Sequence, residues 1–312
     1  MKTNTKQNRA DFKKAAAQDF RKNRALYLMV IPVIAYYILF HYVPMYGTII
    51  AFKNYMPVKG ITGSEWVGFK HFMDFFNSPY FATLLKNTLS ISLSTLAVTF
   101  PAPIIFALML NELKSVKFGK IVQNITYMPH FISIVVICGM VKTFTLDTGI
   151  VNTVLGFFGF EKTSLLMHKE YFVPVYVLSG LWQQLGWSSI VYLAALSGVD
   201  QALYEAAKID GAGKWKQTLH VTIPGIVPTI VTMLILRVGH VLGVGFEKIL
   251  LLYNDATSPV AEVISTYVYK KGLIDQSWSF SAAVGLFNSV INLTLILITN
   301  RISKKTTEVG LW

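Results

Sequence analysis

The chain has 312 residues, 53% hydrophobic and only 14% charged, and its apolar residues come in long blocks rather than in a helical or strand period. Its one cysteine, Cys138, excludes an intrachain disulfide and a cysteine metal cluster. The formal charge of +12 sits in the tails and connectors beside those blocks, a distribution that argues against a nucleic-acid partner and for anionic membrane lipid.

A membrane-crossing helix needs about 20 apolar residues to traverse a hydrocarbon core of about 30 Å with every backbone group satisfied internally. Six blocks meet that requirement: approximately Ala25 to Val43, Asn87 to Leu110, Ile121 to Val141, Phe172 to Ser197, Ile223 to Leu250 and Phe280 to Thr299. An all-α polytopic membrane protein with six transmembrane helices is therefore expected, with a membrane domain over 25–300 between a basic segment 1–24 and a tail 301–312. The amino end has a basic region and an apolar run, as a signal peptide does. No small-x-small cleavage site follows, so the run reads as a retained first span. Residues 1–24 suit either a helix on the inner surface or a flexible tail.

The first span contains Pro32 and closes on an aromatic belt of Tyr36, Tyr37, Phe40 and Tyr42. A first external segment, 44–83, is dense in aromatics such as Tyr46, Trp66, Phe72 and Tyr80, and reads as a folded cap. Pro101 and Pro103 predict a kink in the second span, and Pro129-His130 a break in the third. In the second external segment, 142–171, Asp147 to Asn152 reads as a turn followed by a short helix to about Phe158. A third external segment covers 253–279. No internal repeat is visible.

Lys and Arg cluster in the two tails and in the short loops with Lys114, Lys117 and Lys120 and with Lys208, Lys214 and Lys216. The longer opposite loops carry fewer, balanced by carboxylates such as Glu65, Asp147, Glu161 and Asp275. The positive-inside bias places both termini and the loop 198–222 in the cytoplasm.

That loop carries the most distinctive stretch, running from Tyr204 to Pro224. Glu205, Ala206 and Ala207 favour helix, and Asp200 upstream can cap it by accepting from its free N–H groups. Gly211 offers the left-handed conformation that ends the helix, with Lys208 near its carboxyl end. Pro224 opens the next apolar segment where its missing N–H costs nothing. The result is a compact polar plug between two spans, shaped for a partner's groove.

Glu205-Ala206-Ala207, Gly211 and Val221-x-Ile223-Pro224 resemble the "EAA" loop of permease subunits of type I ATP-binding-cassette importers, with Val221 and Ile223 standing where Ile and Leu are commoner. The resemblance extends over nearly the whole chain through segments such as His41-Tyr-Val-Pro-Met-Tyr-Gly, Met128-Pro-His-Phe-Ile-Ser and Gly310-Leu-Trp312. These are similar to carbohydrate permeases, nearest to those that import oligosaccharides from alginate or rhamnogalacturonan. The resemblance implies a bacterial plasma-membrane protein that pairs with a second, homologous permease. It also implies two copies of a cytoplasmic ATPase, which would hold ATP and Mg2+, and an extracytoplasmic solute-binding protein. Carried over residue by residue, the coupling set is Glu205, Ala206, Ala207, Asp210 and Gly211.

No enzyme constellation is present. A Gly-x4-Gly-Lys-Ser/Thr loop is missing, since the lysines that follow glycine, Lys120 and Lys214, precede Ile121 and Trp215, and the histidines form no i, i+4 metal pair. Polar residues within spans are costly and face cavities or other helices. Read as one helix, span five places Arg237, His240 and Glu247 on one face, where Arg237 could meet sugar hydroxyls or a uronate carboxylate; a packing ion pair is the competing reading. In span four, Gln183, Gln184, Trp187 and Ser188 offer amides and an aromatic face suited to sugar rings, though tryptophans at such depth also serve packing. Span six carries a small and polar stripe including Asn288, which suits close helix contact, with Asn288 the candidate pore residue. A secondary transporter driven by an ion gradient would need more buried carboxylates than Glu247. A membrane sugar sensor that does not transport remains the third reading.

Overall fold

A computed structural model describes residues 18–311, so the expectation for the basic segment falls largely outside the described residues. The chain divides into two compact units, 1–68 and 69–312.

In the first unit, helix α1 (Arg24–Phe52) is exposed along 24–46, as an apolar rod bathed in lipid would be. It does not stop at Val43, as the apolar block predicts, but continues through a π-turn over Ile38–Tyr42 to Phe52. That turn lies directly before Pro44. A proline ring collides with the carbonyl four residues back, and a widened turn moves that carbonyl aside. The strands β1 (Lys53–Asn54) and β2 (Glu65–Trp66) then pair antiparallel, with Lys53 opposite Trp66. Phe52 stacks on Trp66 at 5.8 Å across this hairpin.

The second unit holds α2 (Lys70–Phe76), α3 (Phe81–Asn111), α4 (Val116–Tyr127), α5 (Ile134–Phe144), α6 (Ile150–Phe157), α7 (Lys169–Ser197), α8 (Gln201–Ile209), α9 (Lys214–Val238), α10 (Phe246–Leu252), α11 (Ile264–Tyr269) and α12 (Trp278–Thr307). Four helices among the described residues, α1, α3, α9 and α12, are long and apolar enough to cross a membrane. The pair formed by α4 with its 3-10 extension and α5 makes a fifth span if taken as one. Helix α7 has 29 residues, about 43 Å at 1.5 Å per residue, and Gln183, Gln184 and its serines make it more polar than those four. Six spans are compatible with this inventory.

The second, third and fifth spans carry breaks that shape their course. The third span is no straight rod: its halves meet at 102°, because a 3-10 turn over Met128–Phe131 holds Pro129 and the chain restarts at Ser133, whose side chain caps α5. The second stays helical through Pro101 and Pro103, with a break in regular geometry only at Phe100. The fifth ends at Val238 rather than Leu250. Gly239, Gly243 and Gly245 each weaken a helix by about 1 kcal/mol relative to alanine. The irregular turn they permit is held from α12, where Asn292 Oδ1 accepts from Leu242 N at 3.2 Å and Asn288 Nδ2 donates to Leu242 O at 3.5 Å. Arg237, His240 and Glu247 therefore do not share a helical face.

The core forms three clusters. Ile91, Ile137, Phe172, Tyr176 and Ile249 join α3, α5, α7 and α10. Phe75, Leu84, Tyr267 and Val284 join α2, α3, α11 and α12, while Ala107, Tyr192, Leu196 and Ile226 join α3, α7 and α9. Polar groups of α3 fasten the segment 253–279: Asn87 Nδ2 donates to Pro259 O and Glu262 O at 2.9 and 3.0 Å, and Thr88 Oγ1 accepts from Ile264 N at 3.1 Å. In that segment Lys270 pairs with Glu262 at 2.7 Å. Burial pulls the Lys270 pKa down, the Glu262 carboxylate and Tyr253 raise it, and the net shift is upward. In the segment 142–171, the buried Asn152 of α6 donates to Leu146 O and Thr163 O at 2.6 and 2.7 Å, which closes the loop.

Helix α7 runs through the centre of this unit and touches α4 with no space to spare. A Cβ on Gly186 would lie 2.4 Å from Thr126 O, where neither backbone can yield. Gly186→Ala is expected to destabilise the fold by about 1–3 kcal/mol, the usual range for overpacking, read as a lower thermal midpoint of the purified protein. An unchanged midpoint would count against this contact.

Candidate functional site

Two features stand out, a knob between α7 and α9 and a cavity at the break after α9. The knob is α8. Asp200 Oδ1 accepts from Ala202 N at 2.9 Å and starts the helix, as its residue type predicts. Gly211 ends it with φ +75°, while Ala212 N bonds Ala207 O at 2.8 Å. Tyr204 Oη donates to Thr222 Oγ1 at 3.0 Å and Gln217 Nε2 to Ala212 O at 2.7 Å, so the knob is fastened to the base of α9.

Pro224 does not begin a new helix as the sequence suggests. It sits inside the continuous 25-residue α9, again behind a π-turn, Thr218–Thr222, where Ile223 N bonds Thr218 O. Glu205, Ala206, Asp210 and Gly211 are exposed and Ala207 is half-buried. Ile209 and Trp215, 87% and 74% exposed, extend an uncovered apolar surface beside them. Lys214 pairs with Glu112 at 2.6 Å across the knob's base, a mostly exposed contact worth about 0–1 kcal/mol.

The cavity, about 550 Å³, is lined by Thr95 and Thr99 of α3, Tyr176, Gly180, Gln183 and Gln184 of α7, Arg237 at the end of α9, and Glu247 and Lys248 of α10. A second, of about 240 Å³, adjoins it. The two share Thr95, Thr99, Tyr176, Arg237 and Gly245, and the second adds Ser92 and His240. The broken span thus places Arg237 in the lining of both cavities, Glu247 in the first and His240 in the second, by a turn instead of a helical stripe. Among the described residues Arg237 has no ion-pair partner, and neither has Glu247.

The span-four residues divide. Gln183 and Gln184 line the cavity, but Gln184 Oε1 lies 3.0 Å from His130 Nδ1 and Gln183 Nε2 donates to Ile132 O at 3.4 Å. Trp187 stacks on the His130 ring at 4.2 Å and 3°. Trp187 and Ser188 are outside the cavity lining, and so is Asn288, whose amide clamps Leu242.

Residues that sequence reasoning did not single out complete the wall. Ser92, Thr95 and Thr99 fall at i, i+3, i+7 on α3 and form a hydroxyl stripe. The hydroxyls of Ser92 and Thr95 are buried without a protein partner. That spacing is legible in the sequence of the second span. Lys248, a lysine inside an apolar run, is legible in the sequence too, beside Glu247.

Residues 100–308 match the family model described as binding-protein-dependent transport system inner membrane component. Over 292 residues the chain is 47% identical to the polygalacturonan/rhamnogalacturonan transport system permease protein YteP of Bacillus subtilis (strain 168), covering 93% of this chain and 91% of that one. It is 28% identical to the arabinooligosaccharides transport system permease protein AraP of the same organism, covering 91% and 90%. A solved chain of a bacterial ABC transporter involved in the import of the acidic polysaccharide alginate superposes with a TM-score of 0.86 at 42% identity, covering 94% of this chain and 99% of that chain. A solved chain of a bacterial alginate ABC transporter in complex with an alginate pentasaccharide-bound periplasmic protein superposes equally well, with a TM-score of 0.86 at 42% identity, covering 94% of this chain and 99% of that chain. With its apolar helices and this match over most of its length, the chain belongs to the inner-membrane permease components of binding-protein-dependent ABC transport systems.

Proposed function

We propose that this chain forms one half of the translocation path of an ATP-driven oligosaccharide importer, with acidic polysaccharide fragments as the cargo class. The observation that carries the reading is the joining of two parts in one body: an exposed, capped knob fixed to α9, and a cavity of hydroxyls, amides and charges at the other end of that helix. A second permease supplies the other half. Two cytoplasmic ATPases bind ATP and Mg2+ and take the knobs, with Glu205 bonding polar groups in their clefts and Ala206, Ala207, Asp210 and Gly211 allowing close approach. An extracytoplasmic binding protein delivers cargo to the external segments, and both termini lie in the cytoplasm. ATP binds the state with closed ATPases more tightly than the open one, and that differential affinity shifts the permease between inward and outward openings. Arg237, His240 and Glu247 line the path.

The test is uptake by proteoliposomes that hold the complete complex. Oligosaccharide is expected to accumulate only with a loaded binding protein on one face and ATP on the other. Accumulation driven by an ion gradient without ATP would support a secondary transporter instead.

A further inference from the structure

Lys248 is 7% exposed, yet it lines the larger cavity and has no carboxylate partner among the described residues. Its ammonium donates to Tyr176 O at 2.7 Å and lies 4.6 Å from the centre of the Tyr176 ring. One carbonyl and one ring face use part of its capacity, for an ammonium carries three donors. Burying such a charge is unfavourable unless a counter-charge meets it. The floor beneath it is kept bare: a Cβ on Gly180 would come within 3.0 Å of Lys248 Nζ, so any larger residue there would crowd the ammonium. Arg237 lines the same space, and only Glu247 opposes the two cations there. Thr95 and Thr99 line the same cavity and Ser92 the adjoining one, and the hydroxyls of Ser92 and Thr95 lack protein partners.

A buried cation beside unsatisfied hydroxyls calls for a ligand that is both anionic and rich in hydroxyls. We infer that Lys248 is the specificity-determining cation of the path, binding the carboxylate of a uronic-acid residue while the α3 hydroxyls and Arg237 hold neighbouring groups of the same sugar. This inference rests on the importer reading and adds what selects the cargo. A neutral sugar would leave the ammonium uncompensated, so the cavity discriminates by charge after the binding protein has let go.

The experiment compares a trigalacturonate with its methyl ester, of equal length and nearly equal shape, by equilibrium binding to the assembled permease and ATPase complex without binding protein. Lys248→Gln keeps a donor for Tyr176 O and removes the charge. It should weaken trigalacturonate binding about 10- to 100-fold, the usual worth of a charged hydrogen bond, and change ester binding less than about threefold. Equal losses for both ligands would mean that Lys248 only supports the fold, and unchanged acid binding would likewise overturn the inference. If the glutamine variant does not assemble, Lys248→Arg decides. It should retain preference for the acid over the ester, and an assembled arginine variant that binds both alike refutes the proposal. A wild-type complex that imports oligosaccharide but binds acid and ester equally defeats this inference alone. Failure of wild-type proteoliposomes to import any oligosaccharide defeats the importer reading beneath it.

Discussion

Complexes carrying Glu205→Lys are expected to assemble in the membrane and lose coupled uptake by about 30-fold or more, the scale of a charge reversal at a tight interface. Glu205 is exposed on a helix whose cap at Asp200 and end at Gly211 do not depend on it, so the reversal leaves the knob folded. What changes is the surface that the proposed ATPase partner would meet. Gly211→Pro reaches the same end by another route, since φ +75° is closed to proline, whose ring fixes φ near −65°. In both variants ATP hydrolysis, measured beside sugar uptake, should no longer respond to the loaded binding protein. Full uptake by either variant would show that α8 is not the point of coupling.

The second large effect is expected from Arg237→Ala. Arg237 closes α9, lines both cavities and has no ion-pair partner among the described residues, so its removal breaks no salt bridge that holds the helices together. Uptake should fall about 10- to 100-fold as charged hydrogen bonds to cargo are lost. Assembly and basal ATP hydrolysis should stay near wild type. If the complex instead falls apart in gel filtration, Arg237 serves packing and the cavity reading loses one of its two cations.

What the sequence made legible was chemistry that acts over a few residues. Asp200 caps and Gly211 terminates because the nearest backbone decides both, and the turn before α6 follows from Asp147-Thr148-Gly149 in the same way. The apolar blocks located the four helices that are long and apolar enough to cross a membrane because length and hydropathy are what a bilayer asks of a helix. The break after Val238 was hidden because it is set by Asn288 and Asn292, some fifty residues away, as well as by three glycines that a span can tolerate singly. The 102° bend was visible as Pro129 but not in size, for proline forbids a bond and leaves the angle to whatever packs around it. Gln184 and Trp187 looked like sugar-facing residues by type. Only the position of His130, on the far side of that bend, shows that one bonds it and the other stacks on it.

The uninterrupted course of α9 has a mechanical consequence. Lys214, beside the knob, and Arg237, in the cavity wall, stand on one beam about 35 Å apart at 1.5 Å per residue. Since Tyr204 and Gln217 bolt the knob to its near end, a tilt of about 10° about that end would sweep the guanidinium through about 6 Å on a beam of this length. That is more than a hydrogen bond can follow, so a small rotation at the knob's end would be enough to make the far end release whatever it holds.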